Sequence, residues 1–143
     1  MVKVYIGSRL SMANKAEGLA RTLRVAEHDV VSTWHTERNL DRVLSPQERA
    51  AIALRDYTEL MSADCFVDLV PDDGPQGGQC VEFGMAVAWQ KVVLVVGKRD
   101  HTFHYLGTIG HVNHEDDVPE ALEEWFILSP HEFASYSDEE AEE

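Results

Sequence analysis

Basic side chains are scarce in this 143-residue chain: 12 Lys and Arg stand against 26 Asp and Glu, a formal charge of −14 with histidines neutral. So negative a surface repels phosphate backbones and anionic lipid, which argues against nucleic-acid binding and against a membrane partner. A single basic cleft remains compatible with that balance, because whole-chain charge does not fix a local field. Cysteine is scarcer still. Cys65 and Cys80 cannot build a disulfide framework, no Cys-x-x-Cys occurs, and both thiols read as inert core residues. No apolar run approaches the roughly 18 residues of a membrane span, and the first residues enter a strand pattern rather than a charged-then-apolar leader. The expectation is a soluble, cytoplasmic protein. Neither Gly-x-Gly-x-x-Gly nor His-Glu-x-x-His is present, so the dinucleotide and zinc-protease fingerprints are missing. His101-x-x-His104 and His111-x-x-His114 are spaced for ligand pairs on a helical face, but without accompanying Cys ligands no metal site is expected.

What the chain does have is a 44% hydrophobic content, enough for a core, and a length matching one domain of about 150 residues. Residues 1–130 are expected to form that domain. Residues 131–143, which end in Asp138-Glu139-Glu140-Ala141-Glu142-Glu143, read as an acidic, disordered tail. Strand patterns occur at 2–6, 29–34, 65–70 and 91–96, with a weaker one near 108–112. Between them lie helix patterns. Met12, Ala16, Leu19, Ala20 and Leu23 share one helical face after Ser11. Ser45-Pro46-Gln47-Glu48 combines a capping Ser, Pro at the first helical position and Glu three residues after the cap. That helix is expected to run to about Ser62, another from Gln79 to about Gln90, and a last one from Asp117 to about Phe126. Alternation of strand and helix predicts an α/β three-layer sandwich with a parallel five-stranded sheet. Ligands of such sheets bind beyond the carboxyl ends of the strands, where strand order reverses. Gly7 to Arg9, Trp34-His35 and Pro71 to Gly78 should surround that crevice, with the polar stretch 35–44 as an active-site loop.

Two carboxylates sit awkwardly for a purely structural role. Glu82 falls in the opening turn of a helix otherwise composed of Cys80, Val81, Phe83, Gly84, Met85, Ala86, Val87 and Ala88. A carboxylate on so apolar a helix is costly unless paired or used, and a helix N-terminus favours its anionic form. A first-turn Glu answering the helix dipole from a solvated face is the competing interpretation. Asp56 projects between Ile52 and Leu60, inside the apolar stripe of its helix; pairing with Arg49 would account for it structurally. Asp72 and Asp73 precede Gly77-Gly78, which suits a ligand held against backbone N–H groups, although Asp-Gly is also ordinary turn chemistry. Arg9, with Ser8, Ser11 and a helix N-terminus, could supply donors for an anionic ligand. Trp34 and Tyr5 are candidates to stack on a ligand, or are core aromatics at strand ends.

Together, Val4-Tyr5-Ile6-Gly7-Ser8, Arg55-Asp56-Tyr57-Thr58-Glu59-Leu60-Met61-Ser62-Ala63-Asp64, Gly77-Gly78-x-x-Val81-Glu82-Phe83-Gly84-x-Ala86 and Lys91-Val92-Val93-Leu94-Val95-Val96-Gly97 form an ordered set. In it, residues 1–106 resemble the nucleoside 2-deoxyribosyltransferase family and the related nucleotide N-glycosidases. The resemblance implies a flavodoxin-like or Rossmann-like fold, no cofactor, and substrates that are nucleosides or nucleotides with a free nucleobase. It implies Glu82 as the nucleophile at the anomeric carbon, and Asp56 as its assistant and sugar ligand. An aspartate of the glycine-rich loop should exchange protons with the base; the position six before Glu82 is Gln76, leaving Asp72 or Asp73 for that role. Tyr5, Gly7, Ser8, Arg9, Trp34, Gly77 and Gly78 would line the substrate site. Family members complete each site from a neighbouring subunit, by position His104 here, where relatives carry Asn or Ser. A homo-oligomer with shared sites is therefore expected, acting by base exchange or by hydrolysis of nucleoside 5′-monophosphates. A non-catalytic nucleotide sensor is the reading from another class. A response-regulator receiver is disfavoured, because paired acids for magnesium are replaced by Gly7-Ser8.

Overall fold

The computed structural model describes residues 1–37 and 42–127. The expected acidic tail and part of the 35–44 loop lie outside the described residues. Five parallel strands, β1 (Lys3–Gly7), β2 (Asp29–Val30), β3 (Cys65–Leu69), β4 (Val92–Val96) and β5 (Ile109–Val112), form one sheet in the order β2-β1-β3-β4-β5. The α-helices are α1 (Ala13–Val25), α2 (Pro46–Ser62), α3 (Gly78–Ala88) and α4 (Val118–Ile127). Right-handed crossovers put α1 on one face of the sheet and α2 with α3 on the other. This is the predicted flavodoxin-like three-layer sandwich. No described helix is long and apolar enough to cross a membrane.

Residue choice explains the layers. Every residue of β3 and β4 is buried, which is why Cys65-Phe66-Val67 and Val92-Val93-Leu94-Val95-Val96 read as unbroken apolar runs rather than alternating ones. Helix α2 starts where its cap was expected. Ser45 Oγ accepts from the Glu48 N–H at 3.1 Å, and Glu48 Oε1 accepts from the Ser45 N–H at 3.1 Å, a reciprocal capping box. Helix α1 starts later than Ser11, after a short 3-10 turn over Leu10–Met12, and Ser11 does not cap it.

The second strand is shorter than its 29–34 pattern. Hydrogen bonding to β1 continues through Val31 N–H to Val4 C=O at 2.9 Å, and then the chain peels away into a 3-10 turn at Trp34–Thr36. Side chains take over the ladder. Ser32 Oγ accepts from the Ile6 N–H at 3.0 Å, and Trp34 Nε1–H donates to Ile6 C=O at 2.6 Å. His35, expected in a polar loop, is instead buried, bridging Ser32 Oγ at 2.9 Å and Glu17 Oε2 at 2.5 Å. This network fixes the carboxyl end of β1 and the Trp34 ring beside it.

Candidate functional site

Strand order reverses between β1 and β3, and a cleft of about 900 Å³ opens beyond their carboxyl ends. Its floor comes from Ser8, Arg9 and Ser11 after β1 and from Gln76 to Gln79 at the start of α3. Its walls come from Trp34, Leu44 and one face of α2, and Glu82 lies in it. Gly77 has φ +55°, a conformation that favours glycine and lets the chain turn into α3 at the cleft.

Glu82 is part-buried, and Tyr5 Oη–H donates a short hydrogen bond to its Oε2. Burial pushes the Glu82 carboxyl up to about 7, with Asp56 and Asp68 adding to the rise and Tyr5 opposing it. The helix N-terminus was expected to favour the anion; burial outweighs it. Tyr5 is 0% exposed and rests against Phe66, ring centroids 5.9 Å apart. Burial and the facing Glu82 hold its phenol far above the ordinary range, so it stays a neutral donor. Tyr5 therefore touches Glu82 without lining the cleft.

Asp56 lines the cleft with Glu82. Its partner is Arg55, at 2.9 Å, not Arg49. Burial raises its pKa and the Arg55 contact opposes that. Asp73 stands apart. It forms an exposed ion pair with Arg9 at 2.7 Å, which holds its carboxyl below the usual range, and neither it nor Asp72 lines the cleft. Ser8, Arg9, Trp34, Gly77 and Gly78 do line it. Ser8 Oγ–H is spent on Leu69 C=O at 2.6 Å. Gly7 does not reach the cleft; its missing side chain is required by packing, since a Cβ there would stand 2.4 Å from the Phe66 ring.

His104 does not line this chain's own cleft. It is 0% exposed, its Nδ1 accepts from the Asp100 N–H at 2.9 Å, and its Nε2–H faces Asp68 Oδ2 at 3.2 Å. Both of its ring nitrogens are thus engaged within its own chain. The exposed side chains of that segment are Phe103 and Tyr105. Helix α3 is likewise less buried than its composition implied. Gln79, Phe83 and Ala86 are buried, but Cys80 and Val81 are exposed, so Cys80 is not the core thiol expected, while Cys65 is.

Sequence reasoning missed Asp68, a carboxylate 1% exposed at the end of β3. Gln79 Nε2–H donates to it at 2.7 Å, pinning α3 to the strand three residues before Glu82. An Asp inside Cys65-Phe66-Val67-Asp68-Leu69 was the available signal. Arg42, Arg49, Arg55 and Glu37 of the cleft lining were also passed over. Among the described residues no group of His, Cys, Asp or Glu is arranged to hold a metal ion.

Neither a family model nor a curated protein matches the chain. Solved structures do. A 2-deoxyribosyltransferase from Bacillus psychrosaccharolyticus superposes with a TM-score of 0.64 at 20% identity, over 82% of this chain and 90% of that one. A conserved protein from Enterococcus faecalis gives 0.61 at 15% identity, over 87% and 98%. A Clostridium botulinum CMP N-glycosidase gives 0.56 at 15% identity, over 85% and 98%. The chain thus has the fold shared by a solved nucleoside 2-deoxyribosyltransferase and a solved nucleotide N-glycosidase.

Proposed function

We propose that the protein is an enzyme that breaks the N-glycosidic bond of nucleosides through a glycosyl ester on Glu82 and passes the sugar to a second nucleobase. The observation that carries this is a carboxylate with a pKa near neutrality, held by a buried Tyr5 hydroxyl in a cleft large enough for a nucleoside and beside a second carboxylate, Asp56. A Glu82 oxygen attacks the anomeric carbon as the C–N bond breaks, and the bonding pair leaves with the base, which takes up a proton. Asp56, with its raised pKa, is better suited to give that proton than Asp73, which Arg9 holds ionised. A nitrogen of the incoming base then attacks the same carbon and Glu82 leaves. Two displacements retain configuration.

A second reading replaces the incoming base by water and the nucleoside by its 5′-monophosphate. Arg9 favours it: this guanidinium lines the cleft beside Ser11 and the first amides of α3, and its partner Asp73 is exposed enough to be exchanged for a phosphate. Incubation with a deoxynucleoside, its 5′-monophosphate and a second free base separates the two. Base exchange marks the transferase, and free sugar phosphate marks the hydrolase. Binding with no turnover of any of them marks the sensor.

The proposal includes a homo-oligomer. Leu54, Tyr57 and Met61 on α2, Val81 on α3, and Phe103, Tyr105 and Leu106 are all exposed apolar side chains, and a second copy covering those on one face would remove them from water. A sedimentation mass of one chain at micromolar concentration contradicts this part.

A further inference from the structure

We propose that Arg49 selects the nucleobase, favouring bases that carry an oxo group on the edge remote from the sugar (6-oxopurines, 4-oxopyrimidines) over those with an amino group there. The proposal rests on the nucleoside reading above.

Among the described residues, four guanidiniums line the cleft, in a chain with few basic residues. Three are engaged: Arg9 with Asp73, Arg42 with Glu48, and Arg55 with Glu37 and Asp56. Arg49 has no ion-pair or hydrogen-bond partner among the described residues. It shares a helical face with Ile52 and Asp56, one and two turns along α2. The cleft therefore extends about 10 Å along the helix from the carboxylate pair to an unused cation.

The two ends of the cleft differ in chemistry. Around Arg9 lie Ser11, Gly77 and Gly78, a surface of hydroxyl and amide donors suited to sugar hydroxyls or phosphate. Ile52 lies one turn along α2 from Arg49 and Leu44 just before that helix, and both line the cleft with Trp34, apolar surface of the kind that holds a base. With the anomeric carbon at Glu82 and the Arg9 end taken by the sugar, the base in this proposal runs towards Arg49. A guanidinium carries donors only, so it meets the O6 and N7 acceptors of a 6-oxopurine, or the single O4 acceptor of a 4-oxopyrimidine, but opposes an amino group. Among the described residues, the cleft carboxylate besides Asp56 and Glu82 that could accept from an amino group is Glu37, and Arg55 occupies it.

The test is kcat/KM for deoxyinosine against deoxyadenosine and for deoxyuridine against deoxycytidine, each also as its 5′-monophosphate, in wild type, Arg49→Leu and Arg49→Glu. Arg49 is exposed and unpaired, so both variants should fold. Wild type is expected to favour the oxo member of each pair by about 10-fold or more. Arg49→Leu should bring the ratio towards one, and Arg49→Glu, an acceptor, should invert it. A ratio unchanged in both variants, or a wild type preferring amino bases, overturns the proposal. So does an Arg49→Leu protein that loses only its discrimination between nucleoside and monophosphate, which would assign Arg49 to the phosphate. If wild type cleaves none of these compounds, the nucleoside reading fails separately, and calorimetric binding of hypoxanthine against adenine decides. Tighter hypoxanthine binding that is lost in Arg49→Leu supports the proposal, and equal binding overturns it.

Discussion

The Tyr5 hydroxyl, buried in the core from the middle of β1, donates its hydrogen to Oε2 of Glu82 on α3. This contact joins the two elements that flank the cleft and orients one carboxylate oxygen, leaving the other for a substrate. Because the donor favours the ionised carboxylate, Tyr5→Phe should push the Glu82 pKa higher still. Activity at pH 7 should fall about 10-fold, and the acid limb of the kcat/KM profile should move to higher pH, with the fold retained. An unchanged profile would mean that the hydrogen bond does not act on the reacting group.

If Glu82 attacks as proposed, wild-type activity should rise with pH through about 7, since the attacking form is the anion and burial raises the Glu82 pKa to that value. Stability should move the other way. The folded protein keeps a proton that the unfolded chain has already lost between pH 4.5 and about 7, so folding stability falls as pH rises across that window. Glu82→Gln should remove this dependence and stabilise the protein above pH 7 by on the order of 1–3 kcal/mol, measurable by denaturant titration at pH 5 and pH 8.

The two remaining acids should behave differently. Asp56→Asn is expected to lower kcat about 100-fold or more, because Asp56 shares the cleft with Glu82. Asp73→Asn is expected to lower it less than about 10-fold and to strengthen the binding of 5′-monophosphates, since it releases Arg9. Steady-state kinetics on both variants decides. Equal losses would restore Asp73 to the chemistry.

Gly7→Ala should destabilise the protein by about 1–3 kcal/mol, because its Cβ would enter the Phe66 ring of the neighbouring strand β3. Urea unfolding should show a lower midpoint with an unchanged slope.

The fold was legible because its strands and helices carry opposite periodicities and α2 announces its own cap. The carboxylate pair was legible for a related reason: Asp56 and Glu82 interrupt apolar faces. What escaped was set by contacts between distant segments. His104 looks like a site residue until Asp68, 36 positions away in the chain, is seen to hold it. The 29–34 run carries β-branched residues, yet the chain leaves the sheet after Val31 because Ser32 and Trp34 satisfy Ile6 with side chains. Asp73 looks like a free acid until Arg9 is seen beside it. Cation placement in the cleft was invisible for the same reason, as it depends on which acid each arginine meets.

The most direct test quenches the enzyme in acid during turnover of a deoxynucleoside, then maps its peptides by mass. One deoxyribosyl group on the peptide containing Glu82, absent from Glu82→Ala, is the expected result. Continued base release by Glu82→Ala at the wild-type rate would contradict the account.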